Sequence, residues 1–335
     1  MLVVWDRMRA TDSMNLAPPQ ENGFNMTVYF QSKTYLLHDT GTHPESPARL
    51  RKVMDRLSME EIPSLVMFDK LRKGTDEELL RVHTPEYLQE LKRFCDAGGG
   101  RIETDTVVSK TSYDVARYAA GCVVEAVNQV MEGQAQRAFC AIRPPGHHAL
   151  ADQAMGFCLL NNVAIAARHA VIHHRLNRVL IVDWDVHHGN GTQDIFYEDE
   201  QVHFFSAHRF PFYPGSGAAE ETGAGKGSGT IWNLPLPFGI SRDDYFSRFE
   251  HVLISAARKC RPELILISAG FDAHKDDPIG SLGLESDDFG KLTQLVLNVA
   301  NEYCGGRVVS ILEGGYNPEK LAESVVSHLR ILGDA

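Results

Sequence analysis

Arg178-Val179-Leu180-Ile181-Val182-Asp183-Trp184-Asp185-Val186-His187-His188-Gly189-Asn190-Gly191-Thr192 begins as a strand and ends as chemistry. Val179 to Val182 are consecutive apolar residues, the pattern of a strand buried on both faces. They run straight into two carboxylates and two imidazoles ahead of a Gly189-Asn190-Gly191 turn. If the strand continues, its two-residue period sets Asp183, Asp185 and His187 on one side, where oxygen and nitrogen donors can converge on a metal ion.

Working outward, the same kind of strand recurs. Ala138 to Ile142, Val179 to Val182, Val202 to Ala207, Leu264 to Ser268 and Val308 to Leu312 read as strands. Helical patterns stand among them at Tyr113 to Glu132, near Asn162 to His174, at Asp243 to Lys259, at Asp288 to Tyr303, and after Asn317-Pro318. Upstream, Thr27 to Phe30 is a first strand, Pro47 starts a helix, Thr75 and Glu78 have capping-box spacing, and Thr84-Pro85 starts another helix. Alternating elements with doubly apolar strands predict an α/β fold, a mainly parallel sheet with helices on both faces. We expect one catalytic domain over residues 26 to 335, preceded at 1 to 25 by a poorly ordered extension of mixed composition.

The bulk properties narrow the function. A chain of 335 residues with 43% hydrophobic and 23% charged residues is an ordinary globular composition. A net charge of −11 with no basic block argues against phosphate neutralisation, hence against direct nucleic-acid binding. No apolar run spans a bilayer and no cleavable leader pattern opens the chain, so the expected location is cytoplasmic, away from membranes. Six cysteines lie far apart without Cys-x-x-Cys spacing and are expected as free, buried thiols.

In open α/β sheets ligands sit beyond the carboxyl ends of the strands, so what each strand runs into matters most. Ala138 to Ile142 leads to Arg143-Pro144-Pro145-Gly146-His147-His148, Leu264 to Ser268 to Ala269-Gly270-Phe271-Asp272, and Val308 to Leu312 to Glu313-Gly314-Gly315-Tyr316. Singly, each has a bland reading as a polar loop, a helix cap or a turn. Together, at equivalent strand ends, they point to one site. Asp185, His187 and Asp272 would give a divalent ion three ligands and an open position. His147 and His148 can move protons, Tyr316 can donate to an oxyanion, and the set suits amide hydrolysis. The loop from Phe210 to Gly229, with six glycines and two prolines, is too long for a mere connection and is expected to line the site.

These motifs, with Gly156-Phe157-Cys158 and Asp183 through Gln193, resemble the zinc-dependent histone deacetylase superfamily over about residues 26 to 333. The resemblance implies the arginase/deacetylase-like fold, with Zn2+ on Asp185, His187 and Asp272, a ligand set that Fe2+ also accepts. It implies catalytic roles for His147, His148 and Tyr316, supported by Asp183 and Asn190. It further implies substrate contacts at Phe157, Tyr213, Gly156, Gly315, Asp105 and Arg49, and a structural K+ near Asp183, Asp185, His187 and Ser206. Asn190 in place of an aspartate resembles class II members, and the same motifs occur in acetylpolyamine amidohydrolases.

The function that the resemblance implies is removal of acyl groups from acyl-lysine in proteins or peptides by metal-activated water. Small acylated amines such as acetylpolyamines are the alternative substrate. An inactive acyl-ligand binding module would have lost a ligand, a histidine or the tyrosine, and none is lost. A dinuclear manganese ureohydrolase would need extra aspartates. Oligomeric state is left open by the sequence.

Overall fold

The computed structural model describes residues 26–334; the expected extension at 1 to 25 lies outside the described residues. Ten strands occur among them: β1 (Thr27–Gln31), β2 (Leu65–Phe68), β3 (Gly99–Arg101), β4 (Val107–Ser109), β5 (Arg137–Ala141), β6 (Val179–Asp183), β7 (Val202–Arg209), β8 (Ile231–Leu236), β9 (Leu264–Ala269) and β10 (Val308–Leu312). The α-helices are α1 (Pro47–Leu57), α2 (Asp76–Leu80), α3 (Pro85–Asp96), α4 (Ser112–Met131), α5 (Asn162–Ile172), α6 (Asn190–Phe196), α7 (Arg242–Cys260), α8 (Ser286–Cys304) and α9 (Pro318–Asp334).

Eight strands form one sheet in the order β2-β1-β5-β10-β9-β6-β7-β8, and every pairing in it is parallel. The last two strands of the chain thus fill the gap between β5 and β6. Helices α4 and α5 pack on one face, while α1, α7, α8 and α9 cover the other. Both faces being covered explains why β5, β6, β9 and β10 are buried at every position. The single-domain α/β architecture expected from the alternation is the one observed, and all six cysteines are free and buried. Among the described residues no helix is long and apolar enough to cross a membrane.

Register places the site. Asp183 at the end of β6 lies opposite Ser206 of β7 and Ser268 of β9, and Ser268 lies opposite Ile311 of β10. The carboxyl ends of the central strands therefore finish in one row, and the loops that leave this row share one space.

Two local expectations change. β6 stops at Asp183, so the two-residue alternation does not carry through Asp185 and His187; instead the Asp183 carboxylate accepts from the Asp185 amide at 3.0 Å and turns the chain. Gly189-Asn190-Gly191 is the start of α6 rather than a free turn, with Gly189 at its N-cap. A Cβ at Gly191 would lie 2.3 Å from the Ala149 carbonyl oxygen, which is why so small a residue opens that helix. Strands β2 and β8 and the antiparallel β3–β4 pair were not expected from the pattern.

Candidate active site

Beyond the row of strand ends, the loops after β6 and β9 bring Asp185, His187 and Asp272 together, with one donor atom from each within 4.8 Å of the others. His187 Nδ1 lies 3.0 Å from Asp185 Oδ1 and 3.1 Å from Asp272 Oδ2. Each carboxylate is held by a backbone amide: Asp185 Oδ2 accepts from Gly314 at 2.9 Å, and Asp272 Oδ1 from Val186 at 2.8 Å. Small residues make this approach feasible. A Cβ on Gly270 would lie 2.1 Å from Asp185 Oδ2, and one on Gly314 would lie 2.3 Å from Asp272 Oδ2.

Electrostatics mark the same spot. Burial, then the neighbouring Asp185 charge, push Asp272 up to about 7. Burial alone would lower His187, but its bonds to Asp185 and Asp272 carry it up to about 9. The protein thus gathers a proton where two buried carboxylates face each other, and a cation is what that environment favours. Two hard oxygens and an imidazole nitrogen fit a zinc-type ion, and iron(II) as well.

The histidine pair comes from the loop after β5. Their rings lie 4.0 Å apart. His147 Nδ1 meets Asp183 Oδ2 at 2.9 Å; burial opposes its charge, yet the Asp183 and Asp185 charges carry it up to about 10. His148 Nδ1 meets Asn190 Oδ1 at 2.7 Å. Since that amide oxygen can only accept, His148 donates from Nδ1 and keeps a lone pair on Nε2. Burial, then the nearby His147 and His187, hold it well below the usual histidine range. Neighbouring imidazoles are therefore driven in opposite directions, one protonated and one neutral at pH 7.

Tyr316 follows β10, its amide bonded to Asp277 Oδ2 at 2.6 Å and its ring edge-on to Phe157. Burial raises its phenol well above the ordinary value, so the hydroxyl keeps its proton. A cavity of about 220 Å³ runs past Asp105, Phe157, Phe212, Tyr213 and Ile279 to His148, His187 and Tyr316. The Tyr213 ring stands edge-on to His148 at 5.3 Å, and Phe212 stacks on His187 at 5.2 Å. Gly156, also on the wall, has φ +55 and no room for a Cβ against the His148 ring.

Not every expected residue faces this space. Arg49 lies behind it, 4.7 Å over the Tyr316 ring, bonded to the carbonyls of Gly315 and Glu313 at 2.5 Å each. Gly315 therefore spends its carbonyl on Arg49. The Ser206 hydroxyl donates to His208 Nδ1 at 3.0 Å, and Asp183 accepts from the Asp185 amide and meets His147 Nδ1.

Sequence reasoning missed the supports. Glu45 bonds Arg49 Nη1 at 2.9 Å and clasps Arg143 at 2.5 and 2.7 Å, all fully buried. Glu313 accepts from the Gly146 amide at 2.6 Å and from Ser268 at 3.1 Å, tying the histidine loop to β10 and β9. Phe212 and Ile279 were also missed. Phe212 had a signal, since it neighbours Tyr213 in a loop expected to line the site; the others had none.

The comparisons with known proteins agree with the fold class and make it specific. The histone deacetylase domain model matches residues 43–332. A histone deacetylase-like amidohydrolase of Pseudomonas aeruginosa is 40% identical over 82% of this chain and 73% of its own length. The human polyamine deacetylase HDAC10 is 38% identical over 92% of this chain and 48% of its own. The crystal structure of the HDA15 HD domain superposes with a TM-score of 0.85 at 35% identity, covering 92% of this chain and 89% of that one. The chain belongs to the histone deacetylase family. It is accordingly a hydrolase acting on amide bonds.

The Glu45 cluster yields a stability prediction. Burial alone would raise this carboxyl, but the Arg143 charge and the bonds from His38 and Arg143 hold it well below the usual range. Its unfolded value is about 4.3. A depressed folded value means that its stabilisation is full above about pH 4.3 and is lost as pH falls further. Glu45→Gln leaves two buried guanidinium groups short of a partner and should cost about 3 to 5 kcal/mol at pH 7. Urea unfolding should also show a shallower acid loss than wild type; parallel pH slopes would contradict the assignment.

Proposed function

We propose that this chain is a zinc-dependent deacylase that removes acetyl or other acyl groups from lysine side chains in proteins or peptides. The observation that carries the reading is the narrow, mostly apolar cavity leading to His148, His187 and Tyr316. An unbranched methylene stem would pass between Phe157 and Tyr213 and bring its acyl group to the Asp185, His187 and Asp272 cluster, whose donor set fits the ion.

Bound there, zinc would polarise the acyl carbonyl and lower the pKa of an attacking water. The rest falls to the chain. His148 offers its Nε2 lone pair as the base for the water proton, with Asn190 fixing its tautomer. His147, held protonated by Asp183, supplies positive charge beside it and a proton for the leaving amine. The two rings act as a coupled pair. Tyr316 keeps its proton and donates it in a hydrogen bond to the developing oxyanion. Arg49 holds the turn that aims Tyr316, and Asp105, beside Tyr213, offers a carboxylate to the substrate backbone amides.

The reading extends to class II character through Asn190, and to a cytoplasmic protein without nucleic-acid or membrane partners. A structural potassium ion near Asp183, Asp185, His187 and Ser206 belongs to the same reading, since the Asp183 oxygens each keep a lone pair beside their bonds to His147 and the Asp185 amide.

Acetylpolyamines are the second reading, favoured by the likeness to the human polyamine deacetylase. They carry further ammonium groups, each of which would be desolvated against Phe212 and Ile279 with only Asp105 on the wall to answer them. Catalytic efficiency across acetyl-lysine peptides, longer acyl-lysines and acetylpolyamines is the test. The peptides are expected to lead; turnover of polyamines alone would overturn the reading.

Tyr316→Phe should lower kcat by about a hundredfold to a thousandfold while leaving fold and metal content unchanged, as loss of one oxyanion donor does elsewhere. Near-normal turnover would remove Tyr316 from the mechanism.

A further inference from the structure

Far from this cavity, three imidazoles meet at the end of α5. His169 lies on α5, His173 caps it one turn later, and His174 follows. Their nitrogens approach so that one from each lies within 4.8 Å of the others. The spacing of four residues between His169 and His173 puts both rings on one helix face, and these rings stack at 4.7 Å. His174 closes the group, 4.8 Å from His173 between centroids.

A fourth donor completes the set. Asn128 of α4 points its Oδ1 at the cluster and accepts from His169 Nε2 at 2.7 Å and from His174 Nε2 at 2.9 Å. Two imidazole nitrogens therefore already converge on a single amide oxygen. Three nitrogens and an oxygen, contributed by α4, α5 and the two residues that end α5, are the donor types of a four-coordinate zinc or nickel site. We propose that His169, His173 and His174, with Asn128, form a second transition-metal site that clips the end of α5 to α4.

This site is separate from the catalytic cluster. Because α5 runs into the start of β6, its last turn lies at the opposite end of the sheet from the row of strand ends. The metal's role there is to join two helices.

One group opposes binding, and it makes the proposal testable. Arg81 donates to His169 Nδ1 at 3.2 Å, which keeps that lone pair in use and the ring proton on Nε2. Metal binding through Nε2 moves the proton to Nδ1, so the guanidinium must step aside. Glu77, 2.7 Å away, already holds its other arm. The substitution Arg81→Gln would instead offer an amide oxygen to the Nδ1 hydrogen, the kind of outer partner that sets a ligating imidazole's tautomer.

The experiment uses protein whose catalytic site is already zinc-loaded. It is dialysed against free Zn2+ and the zinc per chain is counted for wild type, His173→Gln/His174→Gln and Arg81→Gln. Wild type should hold one more zinc than the double variant, while deacylase activity is the same in both. Arg81→Gln should bind this second ion more tightly, by roughly the 10- to 100-fold that outer-shell partners contribute. Equal zinc counts in wild type and double variant would overturn the site. Unchanged affinity in Arg81→Gln would overturn this ligand set.

Discussion

The constraint on which everything else depends is the burial of like charges at the carboxyl ends of parallel strands. Asp183, Asp185, Asp272 and Glu313 are at most 1% exposed and stand within one small volume. Such a group is costly to hold out of water unless each charge is paired or bonded. The chain answers with backbone amides from Asp185, Val186, Gly314 and Gly146, with the His147 and His187 imidazoles, and with glycines wherever a Cβ would collide. Register does the positioning, because strands that end in one row deliver their following residues to one place.

Rigidity around this cluster is built in layers. Glu45 and its two arginines sit behind the Tyr316 turn, so the loop before α1, the loop after β5 and the loop after β10 share one buried ion cluster. Glu313 repeats the device on the histidine side. The cavity walls, by contrast, come from the long glycine-rich loop and from Phe157, whose φ of 71 is one of few positive values at a non-glycine position. Chemistry is thus held by the sheet and substrate shape by loops, the usual division in α/β enzymes.

Much of this was legible in the sequence for a physical reason. Strands buried on both faces are continuous apolar runs, and polar residues at their ends stand out, so β5, β6, β9 and β10 and the residues after them could be read directly. Asp185, His187 and Asp272 meet as their strand-end positions implied. The rest was hidden by distance or by local chemistry. Glu45 gains its meaning from Arg143, 98 residues away, and Ile279 looks like any loop aliphatic until the cavity forms. β8 carries Pro235, which suits its place at the sheet edge but weakens its strand pattern. α6 begins with two glycines and an asparagine, which read locally as a turn.

We propose above that the buried carboxylate and imidazole cluster holds the ion on which deacylation by this chain depends. The most direct test is hydrolysis of an acetyl-lysine peptide by protein stripped with a chelator and then given zinc. Stripping is expected to abolish turnover, and about one equivalent of zinc to restore it. Full activity in the stripped protein, or none after zinc is returned to a folded chain, would contradict the proposal.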